Sequence, residues 1–149
     1  FLQTCAQSLQ PDVVVLMGPI VDVENTLIKA GNIPSTFLDL FQTQMVKIAE
    51  FARYMKSRGT KVIVMPSLRD VHHPNVLPQP AYEEADVGPE GQGLHLLSNP
   101  SVFSVNEMRL ACCAEDMLMH MSSRVVAKSG KEKVDRLAMM MRMILRQRR

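Results

Sequence analysis

Two short runs of β-branched and aliphatic residues, Val13–Met17 and Lys61–Met65, each end in a loop of proline, glycine and polar side chains. Runs of this kind, with no polar alternation, read as strands buried on both faces, the pattern of a parallel sheet. Between them Phe37, Leu40, Phe41, Met45, Ile48, Ala52 and Met55 recur at three- and four-residue intervals, which predicts an amphipathic helix. Thr36 and Asp39 have the spacing of a capping box at its start, and Gly59 supplies its stop. Strand, helix and strand in that order form a right-handed crossover with parallel strands, so the chain is committed to an α/β architecture. Polar groups beyond the carboxyl ends of such strands share one crevice. The loops Gly18–Asp22 and Ser67–His73 therefore have to be weighed together.

The remaining sequence is less periodic. Phe1–Leu9 reads as the last turns of a helix, and Glu24–Ala30 as a short helix halted by Gly31 and Asn32. Pro74–Gly93 holds four prolines and three glycines and is expected to be a long loop, a feature that tends to be functional or partner-facing. Leu94–Leu97, Val102–Val105 and Met108–Cys113 read as a small meander with turns at Asn99-Pro100 and Asn106-Glu107. Asp116–Met121 reads as a helical turn and Ser122–Lys133 as a polar, mobile stretch. Val134–Arg149 is expected to be a helix with Val134, Leu137, Ala138, Met141, Ile144 and Leu145 on the face that packs on the sheet. Four of the twelve methionines fall in it, a stripe that reads as core.

Composition excludes several classes. No apolar run approaches the roughly 20 residues needed to cross a bilayer, and the first ten residues lack the pattern of a signal peptide, so a soluble intracellular domain is expected. Cys5, Cys112 and Cys113 are odd in number and not spaced as CxxC, which points to neither a disulfide frame nor a zinc finger. The opening without methionine and the stop after an amphipathic run read as a fragment of something larger. Net charge is +2, but from Arg124 onward nine Lys or Arg face only Glu132 and Asp135, while the preceding residues carry eight basic and thirteen acidic groups. A basic tail can meet nucleic acid or an acidic protein surface, and is more commonly a solvated helix face.

Ser67, Arg69, Asp70, His72 and His73 give the second loop the polar density of a catalytic centre. Asp, His and Asn at adjoining strand ends are the ligands from which two-metal phosphoesterases assemble a phosphate clamp. Against this, adjacent imidazoles point apart, and His72 or Asp70 is expected instead to hydrogen-bond the Pro-rich loop and fix its course. Arg69 is expected to pair with Asp22 or Asp70 as a buried ion pair, so that Arg69→Ala is costly. His120 reads as a capping or packing histidine.

Gly18–Asp22, GPIVD, resembles the GDxxD motif of calcineurin-like metallophosphoesterases, and Ser67–Asp70, SLRD, falls where that family carries GNH followed by an acid. By that resemblance Pro19 replaces the bridging aspartate, Leu68 the ligand asparagine, and Arg69 the histidine that protonates the leaving group. Such a dismantled site marks the B subunits of eukaryotic replicative DNA polymerases. Val64–Pro80 (VMPSLRDVHHPNVLPQP), LLSNPSVFSVNE and AEDMLMH make the chain most similar to the polymerase alpha–primase branch of that family. It departs from the pattern at Asn106, where a hairpin glycine is expected, and at Ala111-Cys112-Cys113.

The resemblance implies a calcineurin-like phosphoesterase sandwich, present in part across residues 1–149, with a vestigial site of Gly18, Pro19, Asp22, Ser67, Leu68, Arg69, Asp70, His72 and His73. It implies no catalytic residue, no metal and no cofactor. It further implies a nuclear, non-catalytic accessory subunit that binds the C-terminal domain of the polymerase alpha catalytic subunit and, through it, primase and replisome proteins. DNA contact would be secondary and membrane contact absent. The alternative is an active metallophosphoesterase with an atypical metal site.

Overall fold

The computed structural model describes residues 4, 8–33, 35–88, 91, 93–124 and 135–147. Cys5, and most of the stretch expected to be polar and mobile, lie outside the described residues, as do Val134 and Arg149. The chain divides into two compact units, Phe1–Ala114 and Glu115–Arg149.

In the first unit, β1 (Val13–Met17) and β2 (Lys61–Met65) pair in parallel, with Val13 opposite Lys61 and Met17 opposite Met65. Between them run the short helix α1 (Thr26–Lys29) and the long helix α2 (Phe37–Lys56). The strand-helix-strand expectation holds, and α2 starts as the sequence predicts. Thr36 Oγ1 accepts from the Asp39 amide at 3.1 Å, and Asp39 Oδ2 accepts from the Thr36 amide at 3.2 Å. Hydrogen bonds from Thr36, its side chain foremost, favour the Asp39 carboxylate and hold its pKa below the ordinary value. The stop also matches: Gly59 takes φ +83°, a left-handed conformation that side chains other than glycine resist.

Phe41, Met45, Ala49, Ala52 and Met55 of α2 are buried against Val62 and Val64 of β2, and Tyr82 and Val87 complete the cluster. Burial of apolar surface at roughly 25 cal/mol per Å² makes this helix-on-sheet contact the main stabilising feature of the unit. Ile63 and Met65 are buried on the opposite face, so β2 is covered on both sides as its composition requires. Phe37, expected on the packed face of α2, is instead exposed. It lies in the first turn, beyond the reach of β2.

Two expectations are corrected here. The stretch after His73 is not wholly a loop, because Glu84–Val87 forms a short helix, α3, which brings Val87 into the core. The first of the three extended runs is not part of a meander. Leu94–Leu96, β3, pairs in parallel with β2 and makes a three-stranded sheet of order β1-β2-β3. Its apolar residues are used up in that sheet, which leaves β4 (Ser101–Val105) and β5 (Met108–Cys112) as a separate antiparallel hairpin. Asn106 occupies the hairpin turn at φ +52°, one of the few non-glycine residues that tolerate that region. Cys112 ends β5, and both it and Cys113 are half-buried free thiols.

In the second unit, α4 (Met117–Ser122) starts at Asp116, whose carboxylate accepts from the Met119 amide at 2.9 Å. Helix α5 (Arg136–Gln147) packs against α4. Its buried residue is Met140, while Leu137, Met141 and Leu145, expected on the packed face, are more than half exposed. Heptad spacing alone could not rank neighbouring apolar stripes on a helix that is rich in methionine all round.

Candidate functional site: a junction of two strand-end loops

The loops after β1 and β2 meet as the parallel pairing demands. The Gly18 amide donates to Met65 O at 2.9 Å, Val71 N to Val21 O at 3.1 Å, and Val23 N to Arg69 O at 2.9 Å. Gly18-Pro19 is a cis peptide. Gly18 is required by space: a Cβ there would lie 2.8 Å from Ser67 N and 2.9 Å from Asp70 Oδ2.

Asp70 is the centre of the junction and is only 4% exposed. Its Oδ1 accepts from Ile20 N at 2.5 Å and Val21 N at 3.3 Å; its Oδ2 accepts from Ser67 N at 2.8 Å and the Tyr82 hydroxyl at 2.5 Å. One carboxylate thus binds both loops and the Pro-rich segment together. Charge-assisted bonds of this kind are the strong ones, and four donors offset the cost of burying the charge. Burial first, and the Asp70 charge second, push the Tyr82 phenol well above its ordinary pKa, so it remains a neutral donor.

The expected ion pair is found with one partner and not the other. Arg69 clasps Asp22 through Nη2 and, at 3.2 Å, through Nε. It does not pair with Asp70, and with the Arg69 side chain 52% exposed the pair is not buried. A long guanidinium stem reaches the mouth of the crevice more cheaply than its desolvated floor. Asp22 also accepts from the Glu24 amide at 2.9 Å.

Ser67 is buried; its Oγ accepts from the Arg69 amide at 3.2 Å. Leu68 is half-buried beside it. The expectation that this loop steers the Pro-rich segment holds through Asp70, and through His73 rather than His72. His73 Nε2 lies 2.8 Å from Pro80 O, and since a carbonyl can only accept, that nitrogen carries the proton. The His73 ring also sits 4.7 Å from that of Tyr82, whereas His72 leans on Phe41 at 5.6 Å. His120, on α4, pairs at the surface with Glu115 at 3.3 Å.

Three residues of the junction escaped sequence reasoning: Tyr82, Gln79 and Asn99. Gln79 and Asn99 are fully buried. Gln79 Nε2 donates to Ser67 O and Pro74 O, each at 3.0 Å, and its Oε1 accepts from Asn99 Nδ2 at 3.1 Å. Asn99 Oδ1 in turn accepts from Ala114 N at 3.0 Å. The one available signal was a lone glutamine between prolines in PQP, where an amide side chain must serve carbonyls that proline leaves without local donors. Among the described residues every buried side-chain polar atom has a partner, and no three His, Cys, Asp or Glu side chains converge as metal ligands would.

The first unit is thus a mixed α/β fold with a polar junction at adjoining strand ends, closed largely by its own amides. The chain belongs to the DNA polymerase alpha/epsilon B-subunit family, which it matches over residues 1–149. It is 34% identical over 140 residues to the DNA polymerase alpha B-subunit of Bos taurus, an alignment covering 93% of this chain and 22% of that protein. With the protein of the same name from Mus musculus it shares 31% over 140 residues, covering 93% and 23% of the two chains, and with that of Saccharomyces cerevisiae 24% over 159 residues, covering 100% and 22%. The chain therefore spans about a fifth of the length of these relatives.

Proposed function

We propose that this chain is part of a non-catalytic accessory subunit of DNA polymerase alpha–primase, acting in the nucleus at the initiation of DNA replication. In this reading residues 1–149 are part of a calcineurin-like phosphoesterase sandwich whose site, Gly18, Pro19, Asp22, Ser67–Asp70, His72 and His73, has become structural. The whole protein binds the C-terminal domain of the polymerase alpha catalytic subunit and thereby joins polymerase to primase.

The observation that carries the reading is the use of Asp70. A metal ligand must keep lone pairs free for the ion, and this carboxylate gives both oxygens to Ile20, Val21, Ser67 and Tyr82. The second acid, Asp22, is held by Arg69, whose guanidinium offers hydrogen-bond donors only. Membership of the B-subunit family supports the same conclusion.

The test is association. The full-length accessory protein, co-expressed with the catalytic subunit's C-terminal domain, is expected to co-purify with it in stoichiometric amount. Separate elution of two folded proteins contradicts the reading.

A further inference from the structure

The outer edge of β3 borders a groove of about 950 Å³, lined by Ala81, Tyr82, Glu84, Val87, Leu94 and Leu96 together with their neighbours. All four consecutive residues Leu94–Leu97 contribute to it. Successive side chains of a strand point to opposite faces, so a groove touching all of them follows the strand's edge rather than one face.

The pairing register says what that edge offers. Val62 lies opposite Leu94, Ile63 opposite His95 and Val64 opposite Leu96, and Leu97 N donates to Val64 O at 2.9 Å. In a parallel ladder alternate residues bond to a given neighbour. His95 and Leu97 therefore turn their backbone groups to β2, and Leu94 and Leu96 turn theirs to the groove. Among the described residues these outward amides and carbonyls have no backbone partner. The devices that usually blunt an edge, proline, lysine or a bulge, are missing from Leu94–Leu96.

The rim adds a charge preference. Glu84 lines the groove and Glu83 stands exposed beside it, neither in an ion pair among the described residues. The far wall is held firm, because Tyr82 is anchored to Asp70 and Val87 is buried in the core.

We propose that the β3 edge is a docking site for an extended segment of a partner protein, with Lys or Arg beside aliphatic residues, which adds to the sheet as a fourth strand. Main-chain bonds to Leu94 and Leu96 supply affinity, the apolar floor takes alternate side chains, and Glu83 and Glu84 select a basic segment. The site borders the Asp22–Asp70 junction through Tyr82, and it does not depend on which enzyme the full-length protein accompanies.

The test uses the full-length protein and a hexapeptide of alternating Val and Lys, read by amide hydrogen exchange and fluorescence titration. In the free protein the Leu94 and Leu96 amides should exchange much faster than those of Val62 and Val64, and saturating peptide should slow them. N-methylation of one inward peptide amide should weaken binding about fivefold. The double charge reversal Glu83→Lys/Glu84→Lys should weaken it further, and added salt should weaken wild-type binding. The proposal is overturned if Leu94 and Leu96 are already protected in the free full-length protein, which would mean its own chain fills the groove. It is equally overturned if no saturable binding occurs, or if binding ignores both N-methylation and charge reversal.

Discussion

Tyr82 donates its hydroxyl to Asp70 Oδ2 at 2.5 Å, in a buried position where the same carboxylate oxygen also receives the Ser67 amide at 2.8 Å. The Pro-rich segment is thus fastened to both strand-end loops through a single acid. Removing that acid's charge should damage all three attachments at once. Asp70→Asn keeps the shape but sets an amide N–H against the Ser67 amide in one orientation and against the Ile20 and Val21 amides in the other. The expected loss is about 2–4 kcal/mol in denaturant unfolding of the full-length protein.

Tyr82→Phe removes one donor and leaves the others, so it should cost less, about 1–2 kcal/mol. Its pH dependence is more diagnostic. The folded pKa of Tyr82 is raised, by burial and then by Asp70. Above the unfolded value near 10 the unfolded chain releases a proton that the native state retains, so the native state loses ground as pH rises. Wild-type stability should be unaffected by this group below about pH 9, and beyond about pH 10 it should fall by up to about 1.4 kcal/mol per pH unit more steeply than that of Tyr82→Phe. Equal slopes for the two proteins would remove Tyr82 from the junction.

Gly18→Ala should destabilise through space alone. The added Cβ would press on Ser67 N at 2.8 Å and Asp70 Oδ2 at 2.9 Å, a backbone group and a fully engaged carboxylate. A cost of about 1–3 kcal/mol is expected. Gly31→Ala is a poor control, since Gly31 has φ +66°, so an exposed α2 position such as Gln42→Ala serves instead and should be near neutral.

Arg69→Ala should be mild, contrary to what a buried ion pair would give. The pair with Asp22 sits at the mouth of the crevice, half in solvent, where such pairs contribute about 0.2–1 kcal/mol and are screened by salt. The melting temperature should drop by a few degrees at most, and the difference should shrink as salt is raised. A loss of several kcal/mol would mean that Arg69 reaches the floor of the junction.

How much of this was legible in the sequence differs by feature. The Thr36 cap and Lys61–Met65 were legible because local composition and tertiary role agree there: the aliphatic run of β2 is buried on both faces and the helix start satisfies its own amides. Val13–Met17 was legible as a strand, but the expectation that it is buried on both faces is corrected: it is an edge strand whose residues are half-buried, with Met17 exposed. The placement of Leu94–Leu96 was not, because a three-residue apolar run carries no record of whether its partner is β2 or the next hairpin. At the site, Gly18, Asp22 and Asp70 were legible as a group from motif spacing. The direction of Arg69 was not, since sequence offers two acids and only burial decides between them. Tyr82, Gln79 and Asn99 were invisible for a related reason. Apart from Pro74 O, five residues from Gln79, the hydrogen-bond partners of these side chains lie from 12 to 20 residues away, and nothing in local pattern marks a polar side chain that will be fully enclosed.

The proposed function holds that the Asp22–Asp70 junction is a phosphoesterase site closed by protein donors and without activity. It is tested most directly by incubating the full-length protein with a generic phosphodiester and added manganese, in parallel with Asp22→Ala. The account predicts no hydrolysis above background in either protein. Turnover by the wild type that Asp22→Ala abolishes would contradict it.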